Sequence, residues 1–247
     1  MQNSKPVLET IFAHRSVRRF TAAPISADVL DTLIRAGQAA STSSFMQNVS
    51  VIRVTDPALR AQIRPICAAG GKGGQSYVET APEFIVFCAD TTRYAHFAPD
   101  AQLDWTEVLL IGAVDVGIFA QNVLLAAESI GLGGVFIGSI RNDLARVGAL
   151  LGCPQGVVPI VGLCLGYPDQ EPMKRERLPL DVILSENRFQ AASAADLQAY
   201  NDNVQAYYRT RDGVAQMDWA QQIRNQFCHE VRPDLLRYLQ AQGFAKR

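Results

Sequence analysis

A helix that is apolar on nearly every side sets the terms for this chain. From Trp105 to Ile130 apolar residues recur without a polar face, so the helix needs cover all round, from protein or from lipid. Asp115, Gln121, Asn122 and Glu128 interrupt the run, which is too polar for hydrocarbon and suits a buried helix at the centre of a globular fold. Gly131 follows it, as glycine does at the residue that ends a helix.

Around this spine the pattern alternates between helical and extended periods. Leu8 to Ala13 and Ser26 to Ala39 read as helices, the second with Ser26 as N-cap, and Ala58 to Cys67 as a third. Strands are predicted at Ser50 to Thr55, Phe84 to Ala89, Val135 to Ile137 and Val157 to Leu165, with loops at Ser41 to Gln47 and in GGKGGQ, Gly70 to Gln75. The crossover units are unevenly spaced, which favours an α+β class over a doubly wound parallel sheet. After Gly166 the run YPDQEPMKRERLP makes an irregular excursion, followed by helices near Ala194 to Tyr208, Met217 to His229 and Pro233 to Gln242. No repeat or clean linker divides the chain, so a single domain spanning 1–247 is expected. Amphipathic helices appended after the last strand either embrace a partner or pack back on their own domain; the pattern leaves both open.

Composition removes several function classes. With 48% hydrophobic and 19% charged residues and a net charge of -1, the chain has no electrostatic case for nucleic acid or an acidic membrane. The start MQNSKPVLETIF lacks a basic region, an apolar core and a cleavage site, so a cytoplasmic location is expected. Five cysteines without a CxxC pair read as reduced thiols, and three histidines without i, i+4 spacing leave no metal site to expect. Gly131, Gly133 and Phe136 break the dinucleotide fingerprint, GGKGGQ lacks the G-K-[ST] of a phosphate loop, and no G-x-S-x-G elbow is present.

What remains is a basic cluster, His14-Arg15-Ser16-Val17-Arg18-Arg19-Phe20. An extended backbone there sends Arg15 to one side and Arg18 to the other, an anion clamp with two reaches. From composition alone a solvated basic turn is the commoner reading. Lys174-Arg175-Glu176-Arg177 and the hydroxyl run Ser41-Thr42-Ser43-Ser44 before Phe45 are further candidates, with a surface charge run and ordinary loop solvation as their bland readings.

HRSVRRF, STSSF, CADTTRY, AQNVLLAAESIGLGGVFIGSIRND and VGLCLGYP followed by RLP, in this order, together resemble the flavin-dependent nitroreductase superfamily, in its oxygen-insensitive, NADPH-preferring branch and the related flavin reductases. The resemblance covers nearly the whole chain. It implies an α+β fold with a central mixed sheet flanked by helices, a helical extension from about 167 to 247 embracing the partner of a homodimer, and FMN at the dimer interface. It assigns His14, Arg15 and Ser16 to the phosphate and ribityl chain and Arg18 to the pyrimidine edge, where a fixed cation favours the charge of reduced flavin. Arg175 and Arg177 match a second phosphate clamp, Ser41, Ser43 and Ser44 a loop near the cofactor, Gln75 an amide on the isoalloxazine, and Phe136, Ile137, Gly138 and Ser139 a segment facing its N5 and O4 edge. Phe45 matches an aromatic over the acceptor, Arg211 a contact to the NADPH 2′-phosphate, and Arg232 a basic residue at the substrate mouth.

The implied activity is a ping-pong oxidoreduction: NADPH or NADH delivers hydride to the flavin and leaves, and a nitroaromatic, quinone or similar acceptor then takes it. No side chain is required for acid–base work. The sequence departs from the family where VAQM, Val214 to Met217, supplies no second arginine after Arg211, and where Ile66 to Gly74 is long enough to shift Gln75 by a residue. The alternatives are a flavin reductase supplying reduced FMN to a partner, a flavin-binding protein without turnover, and an interaction module built on the basic cluster.

Overall fold

The computed structural model describes residues 6–68, 74–211 and 217–247. The chain divides into two compact units, one of Met1–Pro172 with Asp234–Arg247 and one of Met173–Pro233. The first unit begins with α1 (Val7–Ala13), α2 (Ala27–Gln38), a 3-10 turn (Ser43–Phe45), β1 (Val49–Arg53), α3 (Pro57–Ile63) and α4 (Tyr77–Thr80). It continues with β2 (Glu83–Asp90), α5 (Thr92–Phe97), α6 (Thr106–Ser129), β3 (Gly133–Ile137), a second 3-10 segment (Gly138–Asp143), α7 (Leu144–Leu150) and β4 (Val157–Gly166). The second unit holds α8 (Leu180–Ile183), α9 (Ala194–Thr210) and α10 (Trp219–Phe227), and α11 (Leu235–Ala241) belongs to the first.

The α+β class expected from the sequence is the one observed. The strands lie in the order β1-β2-β4-β3, and every ladder among the described residues is antiparallel. The parallel pairing that a mixed sheet needs is not among them, for a topological reason. β2 and β3 run in the same direction across the α6 connection, but β4 inserts between them and turns what would be a parallel pair into two antiparallel ones.

Both faces of the sheet are covered, which is why β2 is buried at every residue and reads, from Phe84 to Ala89, as an unbroken apolar run. Phe84, Val86 and Cys88 point into one apolar cluster with Ile63, Ile140 and Val147. Ile85 and Phe87 point into the other, with Leu33 of α2 and Val116, Phe119, Val123 and Leu124 of α6. A bulge between Phe87 and Cys88 leaves Ile160 of β4 without a partner beside Pro159, which has no N–H to give to a ladder.

Local signals account for most element ends. The Ser26 hydroxyl accepts from the Val29 amide at 3.4 Å, and Asp56 accepts from Ala58 at 2.8 Å to start α3. Pro65 stops α3 short of the Cys67 end expected for it, and Gly131, at φ +86, ends α6 as expected. The short helices α4, α5, α7 and α8 were not anticipated.

The expectation that α6 is buried on all sides holds for one side only. Leu110, Val114 and Ile118 are 55%, 57% and 41% exposed on the face opposite the sheet. It is the one helix among the described residues long and apolar enough to cross a membrane, yet it carries the buried Asp115 toward its own chain.

α2 and α6 cross closely because Gly37 has no side chain: a Cβ there would stand 2.3 Å from Phe119 Cε1 and 2.7 Å from Val123 Cγ2. Gly37→Ala is expected to destabilise by about 1–3 kcal/mol through overpacking, more than the helix-propensity gain of about 1 kcal/mol returns. Urea denaturation checks it, and an unchanged midpoint would mean that the helices separate freely.

Candidate functional site

After α1 the basic segment is laid along the free edge of β3. The Val17 amide donates to Gly134 O at 3.0 Å, Val17 is buried, and Gly133 makes room, since a Cβ there would lie 2.7 Å from Val17 Cγ2. Phe20 then bridges to Pro168. With Val17 pinned inward, its charged neighbours are held at the surface in fixed directions.

Each basic side chain has a different neighbour. His14 Nδ1 lies 2.6 Å from Glu128 Oε1, at the last turn of α6. Arg15 Nη1 donates to Glu171 at 2.8 Å, while its buried Nε has no hydrogen-bond partner. Arg18 Nη1 reaches Ser16 O at 3.3 Å, and its positive charge acts on the Tyr77 phenol. Arg15 and Arg18 thus meet different neighbours. Glu171 is 85% exposed, so its screened pairing with Arg15 is worth little and yields readily to another anion. His14, Arg15, Glu128 and Glu171 line a hollow of about 280 Å³.

Gln75 and Ser139 meet, the Ser139 hydroxyl lying 3.0 Å from Gln75 Oε1. Burial pushes the Cys67 thiol up to about 11, with Ser139 pulling the other way. Burial raises the Tyr77 phenol above its ordinary value, with the Arg18 guanidinium pulling the other way. Phe136 and Ile137 end β3, Ile137 fully buried, and Gly138 opens the 3-10 segment, where a Cβ would come 3.2 Å from Arg141 Nη2.

The hydroxyl loop stands apart from this group. Ser44, Phe45 and Gln47 have φ values of 47°, 58° and 51°, left-handed backbone that costs non-glycine residues of order 1 kcal/mol each or more. Asp115, 3% exposed, offsets that cost by accepting from Thr42 Oγ1 at 2.5 Å and from the Ser43 amide at 3.1 Å. Such charge-assisted bonds are worth about 1.5–3 kcal/mol apiece. Phe45 is left 78% exposed at the rim of a cleft of about 910 Å³, lined also by Ser41, Arg93, Tyr94, Phe97 and Phe119. Asp115 was missed as a site residue, although it is the only charge between Glu107 and Glu128 and a lone buried carboxylate demands partners.

Thus one chain brings together His14, Arg15, Ser16 and Arg18 along β3 and joins Gln75 to Ser139, but it keeps Ser41, Ser43, Ser44 and Phe45 elsewhere. The anchors of the two groups on α6, Glu128 and Asp115, are 13 residues apart, about 20 Å along a helix.

The remaining candidates lie in the second unit. The Arg175 guanidinium rests 5.3 Å and 5.2 Å from the Tyr207 and Tyr208 ring centres and donates to the Tyr208 hydroxyl. Arg177 is exposed in the excursion, Arg211 is the C-cap of α9, and Arg232 has φ 53°. Gly70 to Gly73 of the glycine loop and Val214 to Gln216 of VAQM lie outside the described residues.

A model of the nitroreductase family matches residues 11–167, and a model of that family's C-terminal domain matches residues 175–247. The NADPH-flavin oxidoreductase of Vibrio harveyi is 48% identical over 97% of this chain and 98% of its own length. Its structure in complex with NAD+ superposes with a TM-score of 0.90, covering 98% of this chain and 99% of that one. The oxygen-insensitive NADPH nitroreductase of Salmonella typhimurium is 43% identical over 98% and 99% of the two chains. Nitroreductase A of Vibrio parahaemolyticus, 47% identical, gives a TM-score of 0.91 over 98% of each chain.

If Asp115 holds the hydroxyl loop against its backbone strain, Asp115→Asn, which keeps the shape and loses the charge, will raise amide exchange across residues 41–47 by roughly tenfold or more. Exchange equal to that of the parent would assign the loop's order to other contacts.

Proposed function

Because the chain belongs to the nitroreductase family, we propose that it is an FMN-dependent oxidoreductase, a cytoplasmic homodimer that draws hydride from NADPH or NADH and reduces nitroaromatic, quinone or similar acceptors by a ping-pong course. The observation that carries this reading is the pair of half-sites at different points of α6, with the apolar stripe of Leu110, Val114 and Ile118 uncovered beside them. A second copy packed antiparallel on that stripe sets the Ser41–Phe45 loop of one chain against the basic segment of the other. It also removes from water apolar surface worth on the order of a few kcal/mol per chain.

The residues suit FMN. A phosphate finds the orphaned, buried Nε of Arg15 and the weakly held guanidinium beside exposed Glu171, with the Ser16 hydroxyl next in sequence. Gln75, steadied by Ser139, offers an amide to the ring, and Gly138 leaves the backbone of Phe136 to Ser139 without a side chain at that point, beside the Arg141 guanidinium. FMN, when bound, supplies the two-electron hydride chemistry. The chain supplies position and charge: Arg18, backed by Tyr77, holds a cation where the reduced ring gathers negative charge, and the loop with Phe45 shuts water from the reacting face. On this reading Arg175, Arg177, Arg211 and Arg232 keep the phosphate, nucleotide and substrate-mouth roles that the family likeness gives them. A flavin reductase, which releases reduced FMN to a partner, is the second reading, favoured by the name of the Vibrio harveyi relative.

The visible spectrum of the purified protein, recorded under argon before and after NADPH, tests the main reading: flavin bands are expected and should bleach. Bands that persist would leave a binding protein without turnover, and no bands after FMN is supplied would end the proposal. Arg18→Ala should lower the bound flavin's potential and slow its reduction by roughly tenfold or more, with the fold intact. An unchanged potential would remove Arg18 from the ring. Val114→Glu should convert the dimer to monomer in sedimentation and release FMN with it; a dimer that persists would put the interface elsewhere.

A further inference from the structure

The backbone of His14 is fixed on both sides. Its own amide, at the C-cap of α1, donates to Ile11 O at 3.3 Å, and three residues on the Val17 amide is tied to Gly134 O. The ring could still turn about its side-chain bonds, and one contact stops it: Nδ1 lies 2.6 Å from Glu128 Oε1. The two side chains are 27% and 11% exposed.

Glu128 is badly placed for a carboxylate without such a partner. It stands in the last turn of α6, where the free carbonyls form the negative end of the helix dipole and no basic residue answers them. It is also largely withdrawn from water, which penalises its charge. The hydrogen bond to His14 offsets both costs and fixes a chemical detail of the ring. An ionised carboxylate only accepts, so the proton of this bond sits on Nδ1 and the neutral ring keeps its lone pair on Nε2. Nε2 has no hydrogen-bond partner among the described residues. His14 lines the hollow of about 280 Å³ in which Arg15, Glu128 and Glu171 are the other charged side chains.

Resting on the FMN reading above, we propose that Glu128 is a positioning residue: it fixes the Nδ1–H form of His14, so that Nε2 takes a hydroxyl of the ribityl chain and the phosphate is left to Arg15. The family likeness gives His14 to phosphate and ribityl chain alike; the donors present divide the two. A phosphate needs donors, which the unpartnered Nε and the weakly held Nη1 of Arg15 supply and a bare Nε2 does not. A ribityl hydroxyl needs an acceptor for its proton, and bare Nε2 is one. Without the carboxylate the ring exchanges its proton between the two nitrogens and turns more freely. A share of the chains then presents a donor where the hydroxyl needs an acceptor.

Two measurements test this. The chain holds three histidines, and NMR of their ring nitrogens in mildly alkaline solution, with His14→Gln to assign the signals, reads the tautomer with no cofactor present. The proton is expected on Nδ1 of His14, and after FMN is added Nε2 should stay unprotonated while shifting as a hydrogen-bond acceptor does. A proton on Nε2 in the free chain, or one gained there with FMN, would overturn the proposal. The second measurement is FMN affinity, followed by flavin fluorescence. Glu128→Leu, close in size and apolar, is expected to weaken binding roughly three- to tenfold, about the worth of one hydrogen bond. Glu128→Gln, whose amide oxygen still accepts from Nδ1, should regain most of that loss. A role confined to packing the end of α6 would treat leucine and glutamine alike, so equal affinities would sink the idea. A parent chain that takes up no FMN would end the flavin reading and the ribityl contact with it, while the spectrum of the free chain judges the hold of Glu128 on the ring separately.

Discussion

The packing of α6 is the constraint on which the rest depends. One face closes the core, with Val116, Phe119, Val123 and Leu124 against the sheet and α2, and within that face Asp115 turns a carboxylate to Thr42 and Ser43. Burying an ionised carboxylate is expensive unless every lone pair is occupied. That expense makes the loop specific: any arrangement that withdraws the Thr42 hydroxyl or the Ser43 amide strands the charge. Ser44, Phe45 and Gln47 therefore tolerate left-handed backbone that they would not adopt alone. The strain of the loop and the burial of Asp115 stabilise one another.

The fold was legible wherever a single period or a local cap decides structure. Both faces of β2 and β4 are buried, so the strands stand out as continuous apolar runs, and Gly131 and Ser26 mark helix ends by backbone geometry. What escaped depends on distant partners. α7 is seven residues long, too short to be stable alone, and it persists because Val147 packs into the sheet cluster. The antiparallel ladders follow from where β4 inserts, which no local pattern encodes.

The site was legible in part, for a related reason. Residue type singled out the basic cluster, in which Arg15 and Arg18 meet different neighbours. The segment's extended form comes from the edge of β3, where Val17 bonds Gly134 O, and from the absence of a side chain at Gly133. Asp115, Tyr77 and Glu171 carry no motif; each matters through contact with something far away in sequence, Asp115 with Ser43 and Glu171 with Arg15. Electrostatics at such places belong to the pairing, not to the residue. The same arginine is an anion clamp beside a solvated glutamate and a spent cation beside a buried one, and only Glu171's exposure decides for the first at Arg15.

The uncovered face of α6 joins assembly to activity on the proposed reading. A helix apolar on two sides cannot satisfy both within one copy of this topology, because the sheet occupies only one of them. If the second side is covered by another chain, each pocket takes its basic edge from one subunit and its hydroxyl loop from the other. Dissociation then removes both pockets at once instead of halving their number. Cofactor affinity, subunit affinity and catalytic competence become one linked equilibrium, since FMN bound only to the dimer favours the dimer by mass action. The residues of α6 that touch no ligand, Leu110, Val114 and Ile118, then govern flavin retention as strongly as those that do.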